Sequence, residues 1–138
     1  MTLEALCDYG VGFQRKVWGA LLTDKKFLLN ARDLLKIDYF NSPAHKWIIQ
    51  QVLKYFDEYH TTCTMEVLKI ELQKEPNAIV QIAVKEELKN SYAASQEDLE
   101  YVEEEFTLFC KNQEMRRAIL ESAEKLKHND YEGIRVLV

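Results

Sequence analysis

The feature that most constrains the fold is a long stretch, residues 96–128, that contains neither glycine nor proline. It predicts a single α-helix of roughly 30 residues, far beyond the usual length of about 12. Ser95, with Asp98 three residues later, is typical of a helix start. Only 4 Gly and 2 Pro occur in 138 residues, and no strand-like alternation stands out, so we predict an all-α fold.

Two apolar stripes run along this predicted helix, and they lie on different faces. The first stripe is Leu99, Val102, Phe106 and Phe109, and the second is Met115, Ile119, Ala123 and Leu126. The second is displaced by roughly a third of a turn. A helix packed on one partner throughout would keep one stripe. We therefore expect the first stripe to pack on the preceding helices of the same chain, which form the head of its own subunit. We expect the second stripe, with the flanking Arg116, to contact another subunit.

The other strong helical signal lies in residues 39–59. Asn41 and Ser42 are N-cap residue types, and Pro43 suits a first helical turn because its missing N–H would have no partner there. The apolar residues that follow form two adjacent rows. One row is Ile48, Val52, Tyr55 and Tyr59, and the other is Ile49, Leu53 and Phe56. So broad an apolar face predicts a central helix with neighbours on two sides.

Trp47 lies by angle on the polar side of this helix. An exposed tryptophan is typical of a protein interface, so Trp47 is a candidate partner contact. The alternative is that Trp47, in the first helical turn, packs on the loop that precedes it.

Shorter helical patterns fill the rest of the chain before the long helix. Thr23 or Asp24 is expected to cap one helix, and Thr64 to cap another. Thr61 and Thr62 should end the helix before that, and Pro76 should start the last helix of the head.

One run of residues resembles a known family. It begins with an acid and two aromatics, continues with proline, histidine and lysine, and then becomes apolar and ends in aromatics. Its positions are Asp38, Tyr39, Phe40, Pro43, His45, Lys46, Ile48, Ile49, Leu53, Tyr55 and Phe56. Together with VWGALLTD at residues 17–24 and the long helix at residues 97–127, the run resembles the N-terminal domain of DnaB-type replicative DNA helicases, in particular their T-even phage branch. The resemblance covers most of residues 13–131.

The resemblance implies an α-helical head at residues 1–93, then the long helix and the truncated start of a second hairpin arm at residues 94–138. In that family, hairpins of neighbouring subunits pair, and six N-terminal domains form a collar on the ATPase ring. The same domain docks primase or a helicase loader. The implied function is assembly and partner recruitment in DNA replication, in a bacterial or phage-infected host cytoplasm, with the ATPase motor in a missing domain.

No nucleotide site or catalytic set is visible in the chain. A P-loop needs the pattern G-x-x-x-x-G-K-[ST], because its backbone N–H groups hold the phosphates, and the glycines here do not provide it. We therefore expect this chain to be no enzyme and to hold no cofactor. The histidines are not spaced as metal ligands, so we expect no metal site, and His45 should bond a neighbouring backbone group. Residues 103–105, three glutamates, are typical of a solvated face.

The charge, the cysteine content and the lack of a long apolar run argue against further classes of protein: nucleic-acid-binding, disulfide-bonded, zinc-binding and membrane-spanning. The net charge of −5 argues against broad electrostatic binding of nucleic acid, so we expect little direct DNA binding. Three Cys, at positions 7, 63 and 110, form neither a disulfide framework nor a zinc pair and are expected to be reduced thiols in a cytosolic protein. No apolar run approaches the roughly 18–20 residues of a membrane span.

Two alternatives to the helicase domain stay open. The first is a free-standing α-helical adaptor that binds a replicative helicase by imitating its collar. The second is a helix-turn-helix DNA reader at residues 64–88, whose second helix carries only Lys85 and Lys89 as basic residues. Proteins that read the DNA major groove usually present Arg, Asn or Gln early in that helix. Here only Gln81 fits, which is weak support for this alternative.

Overall fold

The chain folds, in a computed structural model that describes residues 5–91 and 98–127, into α-helices with no strand among those residues. The helices are α1 (Val11–Thr23), α2 (Lys25–Ala31), α3 (Pro43–Tyr59), α4 (Met65–Gln73), α5 (Ala78–Ser91) and α6 (Leu99–Lys127). Short 3-10 helices, Leu6–Tyr9 and Ile37–Tyr39, precede α1 and α3. The all-α prediction is confirmed. We call α1–α5 the head.

Local side-chain caps fix three of the helix starts. Asp24, Ser42 and Thr64 each accept a hydrogen bond from the backbone N–H three residues later, at 3.1, 3.4 and 3.3 Å. These are residue types whose short polar side chains satisfy N–H groups that the helix itself leaves without partners. Pro43 occupies the first turn of α3, as predicted.

One helix boundary differs from the sequence prediction, and another is set by a different residue. The helix α5 begins at Ala78 and not at Pro76, because the side-chain oxygen of Asn77 accepts hydrogen bonds from the backbone N–H groups of Ile79 and Val80. The helix α3 ends at Tyr59, as the predicted range has it, but it is ended by His60, which adopts a left-handed conformation with φ of 59°, and not by Thr61 and Thr62. An αL residue stops a helix by turning the chain away from its axis.

Several predicted features fall outside the described residues. These are the helix start at Ser95, the boundary between residues 93 and 94, and the start of the second hairpin arm after residue 127.

The broad apolar face of α3 is buried, and α3 packs on two sides, mainly against α5 and α1, as the sequence predicted. The helix α1 is also central, because it contacts α2, α3, α5 and α6. The indole of Trp18 is completely buried, and Val17, Ala20 and Leu21 widen the buried arc around it. Large aromatic side chains bury the most area and therefore dominate core energetics.

The proximal half of α6 belongs to the same core as the head. The ring centroid of Phe106 lies 6.1 Å from that of Phe27 and 6.3 Å from that of Phe40. Phe109, one turn later, meets Tyr39 edge-on at 5.4 Å. Aromatic rings at such separations and angles attract one another beyond the area they bury. These contacts fix α6 on the head.

Replacing Phe106 with Ala should lower the free energy of unfolding by about 3–5 kcal/mol, because it leaves a cavity among three aromatic neighbours. Urea denaturation at low micromolar concentration measures this change. Leu120→Ala is the matched control, since Leu120 lies on the same helix with 64% of its surface exposed, and it should change the free energy by less than about 0.5 kcal/mol. Equal effects of the two substitutions would contradict the packing described.

Candidate functional site

The two predicted stripes of α6 have different surroundings. Val102, Phe106 and Phe109 of the first stripe are buried against the head, and Leu99 packs on its edge. The second stripe lies in the distal half of α6, which we define as residues 113–127. All of its predicted contact residues are exposed there: Met115, Arg116, Ile119, Ala123 and Leu126. The arrangement therefore leaves an apolar face of α6 without cover in the described part of the chain.

The exposed face of α6 has the spacing of a coiled coil. Starting at Tyr101, steps of four and three residues alternate along the whole helix. The residues reached are Tyr101, Glu105, Leu108, Asn112, Met115, Ile119, Ser122 and Leu126, and we call this row the seam. Five of the eight are apolar, and each of those five is exposed. A repeat of 3.5 residues is the pattern by which two helices cover each other's apolar rows.

Tyr101 and Leu108 were not among the residues predicted from the sequence. They lie on the proximal half of α6, where the first stripe is buried, and both are exposed. The signal that identifies them is the 3.5-residue period continued toward the start of the helix. A search that assigned each half of α6 one face could not have found them.

Charged residues beside the seam are partly paired within α6. Arg117 bonds Glu114 at 2.6 Å and also reaches Glu121, so its guanidinium is held along the helix. Arg116 forms no ion pair with any residue that the structure describes. Exposed ion pairs contribute little to stability. They fix the charge pattern beside the seam, and Arg116 remains accessible to a carboxylate of another chain.

Trp47, the candidate partner contact, is not on the surface. Only 7% of it is exposed, and its Nε1–H donates a hydrogen bond to Glu75 Oε2 at 3.1 Å. Glu75 lies in the connection between α4 and α5, so that connection covers the side of α3 that the helical pattern placed in solvent. Trp47 is therefore a core residue and not an exposed partner contact.

A buried polar network joins three helices of the head. The carboxylate of Glu87 on α5 accepts hydrogen bonds from Arg15 on α1 at 2.7 Å and from His45 on α3 at 2.9 Å. Burial alone would raise the pKa of Glu87, but the two hydrogen bonds outweigh it and the pKa is lowered. The expectation that the His45 side chain bonds a backbone group is wrong, because its imidazole pairs with this carboxylate.

A second carboxyl pair connects α6 to the start of α2. The carboxyl groups of Glu103 and Asp24 are neighbours, and Asp24 is also the N-cap of α2. Burial raises the pKa of Glu103 to about 7, with further contributions from the neighbouring carboxyl group of Asp24. The interaction with Glu103 lowers the pKa of Asp24. Glu103 is half-buried, so the prediction that all three glutamates are solvated is wrong for it.

The described residues show no site for metal chemistry and no membrane helix. Within residues 5–91 and 98–127, no three His, Cys, Asp or Glu side chains are grouped to hold a metal ion. In the same ranges, no helix combines the length and apolar character that crossing a bilayer demands. The three cysteines are free, with Cys63 and Cys110 buried. The exposed seam of α6 is therefore the strongest candidate for a functional surface.

Comparisons with known proteins return nothing for this chain. No protein-family model matches it, no curated protein matches it, and no solved structure matches it. The resemblance to DnaB-type helicases accordingly rests on the residue pattern given above.

The carboxyl pair predicts a pH dependence of stability. Glu103 titrates near 4.5 when unfolded and near 7 when folded. Its stabilising contribution is therefore complete below a pH of about 4.5 and is lost as the pH rises through about 7. Glu103→Gln stays uncharged at every pH, so the variant avoids burying a second negative charge beside Asp24 and should be more stable than wild type at a pH of about 8. Urea denaturation across this range measures the difference.

Glu104→Gln provides the control, because Glu104 is exposed on the same turn of α6. It should leave the pH dependence as in wild type. A Glu103→Gln variant with an unchanged pH profile would show that the pKa of Glu103 is not raised in the folded chain.

Proposed function

We propose that this chain is an assembly and partner-docking domain that associates with further copies of itself through the distal half of α6. The observation that carries the proposal is the seam, a heptad row whose apolar members are exposed along a helix fixed to the head. Covering apolar surface contributes roughly 25 cal/mol per Å². Met115, Ile119 and Leu126 are each more than half exposed, so pairing two α6 helices removes much of this area from water.

The composition of the seam supports weak rather than obligate pairing. Glu105, Asn112 and Ser122 are polar, and polar residues in a coiled-coil core lower its stability. The apolar members are most closely spaced at Met115 and Ile119. We therefore expect the distal half to supply most of the contact, with an affinity in the micromolar to millimolar range, roughly −4 to −8 kcal/mol.

The resemblance gives the proposal its biological setting. We propose that the parent protein is a hexameric replicative DNA helicase of the DnaB type and that this domain belongs to its N-terminal collar. On this proposal, ATP hydrolysis and most DNA contacts belong to another domain, and primase or a helicase loader docks on this one. An all-helical head followed by one long helix supports this reading.

Replacing Ile119 with Asp should give a monomer with an intact fold, because it places a charge at the centre of the seam. Sedimentation equilibrium from about 10 μM to about 1 mM, with circular dichroism, measures both properties. Leu120→Asp is the matched control. Leu120 is adjacent and as exposed as Ile119 but lies off the seam, so this variant should associate like wild type.

A wild-type chain that stays monomeric at millimolar concentration would overturn the self-association proposal and favour the adaptor. Unfolding of Ile119→Asp, or equal loss of association in Leu120→Asp, would show that the seam is not the contact.

A further inference from the structure

A groove between α4 and α5 lies on the head and takes no part in the seam. Its volume is about 580 Å³, and its floor is formed by Leu72 of α4 and Leu88 of α5. Ile82, on the rim, is 68% exposed. The two helices are held at this spacing partly by Gln81, whose amide donates to the Leu72 carbonyl oxygen at 2.9 Å. The groove is thus an open apolar channel between two fixed helices.

The rim of the groove is basic although the chain as a whole is acidic. Lys69 projects from α4, and Lys85 and Lys89 project from α5. All three are exposed, and none forms an ion pair with a residue that the structure describes. No carboxylate from residues 5–91 or 98–127 lines the groove, while the net charge of the chain is −5. The positive charge is therefore concentrated where apolar surface is also accessible.

We infer that this groove binds an acidic amphipathic helix of a partner protein. An apolar helical face would cover Leu72, Ile82 and Leu88, and flanking carboxylates would meet the three lysines. Laying an amphipathic helix into an apolar groove is a recurring mode of peptide recognition. Complementary charge around such a groove supplies specificity and speeds association.

Two other occupants fit the groove less well. The distal half of α6 from a second copy carries four basic and three acidic residues, so it does not complement a lysine rim. Single-stranded nucleic acid binds through phosphate contacts and bases stacked on aromatic rings. Among the residues that the structure describes, the groove offers three lysines and an apolar floor but no aromatic residue.

The inference rests on the partner-docking part of the proposed function and is independent of the pairing of α6. The two can fail separately. Ile119→Asp should leave peptide binding unchanged, and groove variants should leave self-association unchanged.

The test uses fluorescence anisotropy with three labelled probes. The first is a synthetic amphipathic peptide of about 18 residues, five helical turns, with leucines along one face and glutamates beside them. In the second peptide lysines replace the glutamates, and the third probe is a strand of oligothymidine. The acidic peptide should bind at least about tenfold more tightly than either other probe, a difference of about 1.4 kcal/mol.

Variants of the groove locate the binding. Ile82→Asp should weaken binding of the acidic peptide at least about tenfold. The double variant Lys69→Glu with Lys85→Glu should reverse the preference toward the lysine peptide. Ile70→Asp and Lys54→Glu are the controls, because both residues are exposed and outside the groove lining. They should bind like wild type.

The inference is overturned if the acidic peptide does not bind or if the lysine peptide binds as well. Preference for oligothymidine would instead assign the lysines to nucleic acid. If the groove variants and the control variants lose affinity for the acidic peptide equally, the peptide binds elsewhere on the head.

Discussion

The aromatic contact between α6 and the head is the interaction on which the rest of the structure depends. Phe106 and Phe109 bring together rings from α2 and from the segment before α3, and α1 packs alongside. Removing such rings from water, and placing them edge to face, gives α6 a fixed direction. Because an α-helix is stiff, fixing its proximal half also determines where its distal half projects.

The fixed direction separates the two faces of α6. The side that carries Phe106 and Cys110 is buried, and the opposite side carries the seam from Tyr101 to Leu126. On the proposed function, one helix serves two purposes, anchoring in its own head and presenting an apolar row to a second chain. The basic groove between α4 and α5 is a separate surface on the head, so the proposed assembly and the proposed partner docking need not compete.

Local features were predictable from the sequence because they depend on neighbours within one turn. The caps at Asp24, Ser42 and Thr64 and the two stripes of α6 are of this kind. Contacts between distant segments were not predictable. The helical pattern put Trp47 on the polar side of α3, and nothing in α3 indicates that Glu75 lies over it. The pairs of His45 with Glu87 and of Glu103 with Asp24 likewise join different helices. The groove was missed because its lysines and leucines are interleaved from two helices.

The central claim is that α6 is anchored by its proximal half and offers its distal half to a second chain. Hydrogen–deuterium exchange at low and at high protein concentration tests this claim most directly, because amide protection reports local opening. The account predicts that amides of residues 100–110 are protected at both concentrations, whereas those of residues 113–127 gain protection only at the high one. Strong protection of residues 113–127 at the low concentration would show that this half packs within its own chain. Protection of residues 113–127 that does not change with concentration would contradict the account.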